Sequence, residues 1–121
     1  MILISRLLNR FNFLVIFIFF FSVNPSFAEK KLLMVTAEYC LYCQMWEEQI
    51  GEIYPKTDIA KNFPLEKIEL DDFLKNDTFV VEKTNITPTF IFFNNNTEIG
   101  RIVGFSDPEM FWWQVDGILE R

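Results

Sequence analysis

Lys30-Lys31-Leu32-Leu33-Met34-Val35-Thr36-Ala37-Glu38-Tyr39-Cys40-Leu41-Tyr42-Cys43 is the stretch whose reading decides the fold. Its first half is a short apolar run bounded by charge. That is too short for a helix and reads as a buried strand. Its second half carries the only two thiols of the chain, spaced C-x-x-C. From Gln44 to Ile50 the sequence is helix-prone, with Met45, Trp46 and Ile50 apolar and Glu47, Glu48 and Gln49 polar. Gly51 weakens this helix, and Pro55 breaks it or starts a new piece. The cysteine pair therefore sits where a strand gives way to a helix. At such a junction the free backbone N–H groups and the helix dipole stabilise a thiolate on the first Cys. The second Cys, one turn on, is close enough to attack a mixed disulfide. Because the thiolate is the nucleophile, the reading assigns Cys40 as the attacking, exposed thiol and Cys43 as the shielded, resolving one.

Downstream, Thr57 or Asp58 caps a second short helix ending near Asn62. Leu65 to Leu70 alternates apolar and polar, as a half-buried strand does. Asp71 to Asp77 reads as polar and turn-like. Thr78 to Lys83 is ambiguous: Phe79, Val80 and Val81 favour strand, but its position favours a short helix. Thr89-Phe90-Ile91-Phe92-Phe93 is a dense aromatic strand. The turn Asn94-Asn95-Asn96-Thr97 joins it to an alternating strand over Glu98 to Val103, which makes a hairpin ended by Gly104. Ser106-Asp107-Pro108-Glu109 has capping-box spacing. It opens a helix to about Leu119, with Phe111, Val115, Ile118 and Leu119 on one face. The expected order is strand, helix, strand, helix, strand, strand, helix.

Upstream, residues 1–28 read as a secretory signal peptide. Arg6 and Arg10 form a positive start, Phe11 to Phe21 an apolar stretch, and Ser26-Phe27-Ala28 a small-x-small cleavage site. An uncleaved anchor is the alternative, although a spanning helix wants about 20 apolar residues and this run is shorter. Both readings export the domain at residues 29–121. Removing 28 of 121 residues leaves 93, with nine Lys and Arg against 17 Asp and Glu, a net charge of −8. That length allows one domain. That charge argues against nucleic acid as a partner. The chain has no His, which excludes His-based acid–base catalysis and His metal sites.

Several chemistries compete for the cysteine pair. A purely structural disulfide would close a tiny loop, where disulfides stabilise least. A lone C-x-x-C offers two ligands where structural zinc wants four. Two unpaired core cysteines would be out of place at a strand-to-helix junction. Cu(I) held by two thiolates stays open beside redox exchange. Pro88, in Asn85-Ile86-Thr87-Pro88-Thr89-Phe90, is either a strand-start proline or a cis-proline that sets Thr87 beside the cysteines.

Together, Ala37-Glu38-Tyr39-Cys40-Leu41-Tyr42-Cys43 after a strand, Thr87-Pro88-Thr89 before the third strand, and Gly104 before a final helix resemble the thioredoxin superfamily. More narrowly, Ile50-Gly51, Tyr54-Pro55-Lys56-Thr57, Gly100-Arg101-Ile102 and Phe111-Trp112 resemble the small periplasmic SoxS-type thioredoxins of bacterial sulfur-oxidation operons. The resemblance implies an α/β thioredoxin fold, βαβαββα, with a four-stranded mixed sheet and helices on both faces. It implies an exported thiol–disulfide oxidoreductase, periplasmic and monomeric. Its cofactor is nothing but the Cys40–Cys43 disulfide, and it has no metal. It would reduce periplasmic cysteine-containing proteins, sulfur-oxidation carriers among them, with electrons from a membrane thiol donor. Thr87, Pro88, Leu41 and Tyr42 would bind substrate; Lys67 either tunes the thiols or is a solvated strand lysine, and Glu38 beside Cys40 either tunes them or is a solvated glutamate. Leu41-Tyr42 replaces the usual Gly-Pro spacer, and Met34 replaces the buried acid that thioredoxins carry. The alternative is a Cu(I)-binding or cytochrome (haem) maturation chaperone built on the same fold and the same thiols.

Overall fold

A computed structural model describes residues 29–120. The leader Met1–Ala28, its cleavage point and the anchor alternative lie outside the described residues. Strand β1 (Lys30–Thr36) is followed by helix α1 (Leu41–Trp46), which runs on through a wide π-type turn at Glu47–Gly51. A 3₁₀ turn at Tyr54–Lys56 leads into α2 (Asp58–Asn62), capped by the Thr57 hydroxyl, which accepts from the Ala60 N–H. Then come β2 (Leu65–Glu69), α3 (Leu70–Lys75), β3 (Thr89–Asn94), β4 (Thr97–Val103) and α4 (Pro108–Leu119).

The sheet order is β2-β1-β3-β4, with β1 parallel to β2 and the other two pairings antiparallel. A parallel pair needs a crossover, which α1 and α2 supply. The two central strands are apolar on both faces because both faces are covered. Leu32, Met34, Phe90 and Phe92 pack under α1 and α4, against Trp46, Phe111 and Val115. On the other face, Leu33, Val35, Ile91 and Phe93 pack with Phe73 of α3 and with Phe79. This is the α/β, mixed-sheet architecture expected, with helices on both faces.

Three local expectations are corrected. Asp71 to Asp77 is not a turn: it lies largely in α3, whose first-turn Asp71 and Asp72 suit the positive helix end and whose Phe73 is fully buried. Thr78 to Lys83 is then neither strand nor helix. The Asn76 side chain turns the chain by accepting from the Thr78 N–H, and the Lys83 ammonium donates to the last carbonyls of α3, Phe73 and Asn76. At α4 the cap is Asp107, not Ser106: the Asp107 carboxylate accepts from the Met110 N–H at 2.9 Å, and Pro108 fills the first helical position. The β3–β4 turn is as expected, with Asn95 and Asn96 both at positive φ, the geometry that twists a two-residue hairpin correctly.

Candidate active site

Parallel and antiparallel pairing together bring four chain segments to one end of the sheet. β1 ends there at Thr36 and feeds the Cys40–Cys43 loop. β3 starts there, since Val35 pairs with Thr89. β4 ends there, since Thr89 pairs with Val103. The C-terminal end of β2 lies there too, since Thr36 pairs with Glu69. The cysteines and the Thr87-Pro88 segment, 44 to 48 residues apart in sequence, therefore share one edge.

Cys40 is the N-cap of α1, in extended conformation. Its Sγ accepts from the Cys43 N–H at 3.1 Å, and its carbonyl accepts from the Gln44 N–H. The two cysteines are joined as a disulfide, with Cα atoms 5.2 Å apart. The expected exposure of Cys40 is not seen: it is 7% exposed and Cys43 is 3%. In the oxidised pair the Cys40 sulfur is bonded to that of Cys43 and accepts from the Cys43 amide. The residues around it carry the exposure instead. Tyr39 is 94% exposed, Leu41 66% and Tyr42 54%.

Thr87-Pro88 is a cis peptide bond. Pro88 is buried and Thr87 half-buried. The loop leading to them is braced: the Thr89 hydroxyl donates to the Ile86 carbonyl at 2.6 Å, and the Thr84 hydroxyl accepts from the Ile86 N–H. Gly104, at φ +81, donates its N–H to the Pro88 carbonyl at 2.8 Å. A residue at that φ is ordinarily Gly, so the glycine read as a strand terminator also ties β4 to the proline loop.

Beneath the disulfide the core is apolar. Met34, Trp46 and Phe90 belong to the same buried cluster as both cysteines. Trp46 is fully buried, packed on Phe90 and Phe111, and its indole N–H has no hydrogen-bond partner among the described residues. Lys67 pairs with Met34 across the β1–β2 register, and its ammonium forms an ion pair with Glu47 of α1's wide turn. Its charge is thus neutralised by a carboxylate on the α1 face. Glu38 is exposed in the loop before Cys40.

Sequence reasoning did not single out Tyr39 or Ile86 as site residues. Ile86 is 54% exposed immediately before Thr87, so it adds apolar surface at this edge. The available signal was position: each is a large apolar or aromatic residue in a loop next to a site residue. Of the tryptophans, Trp112 stacks on Tyr54 and is half-buried, while Trp113 is exposed.

Residues 23–118 match the model of the thioredoxin-like domain family. Among curated proteins, none matches the sequence. Among solved structures, the periplasmic thioredoxin SoxS of Paracoccus pantotrophus, in its reduced form, is 29% identical with a TM-score of 0.70, covering 76% of this chain and 97% of that one. The Malassezia sympodialis thioredoxin Mala s 13 is 23% identical with a TM-score of 0.58, covering 73% of this chain and 75% of that one. Nicotiana alata thioredoxin NaTrxh is 21% identical with a TM-score of 0.53, covering 75% of each chain. The last two likenesses bear on the fold alone.

Proposed function

Because this chain belongs to the thioredoxin-like domain family, we propose that it is an exported dithiol reductant that acts on disulfides of periplasmic cysteine-containing proteins. The observation that carries the reading is the Cys40–Cys43 disulfide at the head of α1, on the same sheet edge as the cis Thr87-Pro88 bond. The likeness to a periplasmic thioredoxin supports the compartment, as does the leader-like sequence of residues 1–28.

In the reaction, reduced Cys40 loses a proton and its thiolate attacks one sulfur of the partner disulfide. A Cys40–partner bond forms, the partner S–S bond breaks, and the leaving partner thiolate takes up a proton. Cys43, deprotonated in turn, attacks the Cys40 sulfur. The Cys40–Cys43 bond closes, and the second partner sulfur leaves as a thiol. Two electrons and two protons pass to the partner. A membrane-bound dithiol restores the reduced pair. Leu41, Tyr42, Thr87 and Pro88 form the surface against which the partner segment lies.

The test is a single-turnover reaction of the reduced protein with hydroxyethyl disulfide, an uncharged substrate, followed by mass spectrometry. The native protein should return fully oxidised. Cys43→Ser should stop at a mixed disulfide on Cys40, and Cys40→Ser should form none. A mixed disulfide on Cys43 in the Cys40→Ser protein would reverse the assignment, and no reaction in the native protein would end the proposal.

A further inference from the structure

Of the eight described Lys and Arg residues none lies in the segments that build the disulfide's edge of the sheet; Lys56 ends the 3₁₀ turn and Lys75 ends α3. Lys30 and Lys31 start β1 and Lys61 precedes β2, all at the opposite end. Lys67 is paired with Glu47 and Arg101 with Glu98, while Lys83 caps α3 through two carbonyls. The segments that build the disulfide edge, residues 36–43, 69–72, 85–89 and 103–109, contain six acids and no Lys or Arg. The six are Glu38, Glu69, Asp71, Asp72, Asp107 and Glu109. All are exposed, and none forms an ion pair among the described residues. The same edge segments also carry the exposed Tyr39, Leu41 and Tyr42 and, from the proline loop, Ile86.

We infer that this edge is a docking surface for a cationic protein segment, one that carries its disulfide flanked by Arg or Lys. The inference rests on the proposed dithiol exchange and adds to it the chemistry of the partner. Six uncompensated carboxylates on the same edge as an apolar patch repel acidic partners and concentrate basic ones, an effect that raises encounter rates and fades with salt. The tyrosine rings add faces on which a guanidinium or ammonium can lie. An apolar patch alone would accept any extended segment, and the carboxylates are what discriminate.

The test compares two disulfide-linked peptides of equal length and apolar content, one with Arg and Lys flanking its cysteines and one with Glu. Each reacts with the reduced full-length mature domain in single turnover, so no further reductant is needed. The ratio of the two rates is the readout, because any change in thiol reactivity common to both cancels. The basic peptide should react at least about 10-fold faster at low salt, and the ratio should fall towards one at 0.5 M NaCl. In the Glu69→Gln, Asp71→Asn, Asp72→Asn triple variant the low-salt ratio should drop several-fold. Glu38→Gln with Asp107→Asn gives an independent second variant, should the first fail to fold. A ratio near one at low salt, with hydroxyethyl disulfide still reduced, overturns this inference and leaves the proposed function standing. Failure to reduce hydroxyethyl disulfide removes the function and the inference with it.

Discussion

Alkylation of the reduced protein separates the two thiols quantitatively. Exposure alone makes them near equals, since both are buried in the oxidised pair. The difference lies in the backbone. Breaking the S–S bond leaves Cys40 at the head of α1, where its sulfur has the Cys43 N–H at 3.1 Å. A hydrogen bond to a charged acceptor contributes roughly 1 kcal/mol more than one to a neutral acceptor. The positive end of the helix adds about 0.5–1 kcal/mol. Together they favour the Cys40 thiolate by about 2 kcal/mol, or ~30-fold in thiolate population. A stabilised thiolate is also a weaker nucleophile, and a Brønsted slope of about 0.4–0.5 takes back nearly half of that logarithm. The net expectation is iodoacetamide labelling of Cys40 faster by ~6-fold at pH 6. Cys43, set among Met34, Trp46 and Phe90, gains nothing comparable. Above the titration of both thiols the population term vanishes, so the ratio should fall to one or below. No Lys or Arg lies between the two cysteines, so the label is located by fragmenting a single tryptic peptide. Equal labelling at pH 6, or labelling of Cys43 first, refutes the capping argument.

Three further outcomes concern the frame that holds the site. A Cβ added at Gly100 of β4 would stand 2.7 Å from Ile118 Cγ2 of α4, so Gly100→Ala should cost about 1–3 kcal/mol in urea unfolding, and a stability within 0.3 kcal/mol of native would deny that close approach. Tyr54 is fully buried, donates to the Phe63 carbonyl at 2.6 Å, and has its hydroxyl pKa pushed far above the ordinary 10.0 by burial. A raised folded-state pKa means that its contribution is intact below pH ~10 and is lost as pH climbs towards the folded value; Tyr54→Phe should therefore lose about 1–3 kcal/mol at pH 7 and flatten the alkaline decline, as read by unfolding across pH 7–11. Asp107→Ala should cost about 1 kcal/mol in thermal unfolding and Ser106→Ala much less, and the reverse order would return the cap to Ser106.

How much of this was legible depended on whether the signal was local. β1 is an uninterrupted apolar run because both of its faces are covered, and that pattern survives in one dimension. The Asn95-Asn96 turn and the Thr57 cap are also local chemistry and were readable. The cysteine pair announces itself by spacing. α3 was missed because its signal competes with itself: Asp71-Asp72 reads as turn chemistry, yet the same carboxylates suit a helix start once Phe73 has a sheet face to bury against. The Asp107 cap was missed by one residue because Ser106 has the better motif spacing while Pro108 fixes the helix start after Asp107. Cys40's burial was not readable at all, since it depends on the three-dimensional packing of the disulfide loop over the core.

Met34 links the readable part to the chemistry. It lies fully buried in the cluster that contains both cysteines, and no carboxylate is buried among the described residues. The cluster's one other ionisable member, Tyr54, already donates its proton to the Phe63 carbonyl. A proton leaving Cys43 therefore has no acceptor below it in the core. On the proposed exchange its way out is the disulfide edge, where Tyr39, Leu41 and Tyr42 are exposed. Under the proposed function, the surface offered to the partner is then also the one through which Cys43 is activated. A segment seated there governs both steps, because it decides how much water reaches Cys43. On that reading, specificity and turnover would be set by the same few loop residues, with the sheet and α4 holding them in place.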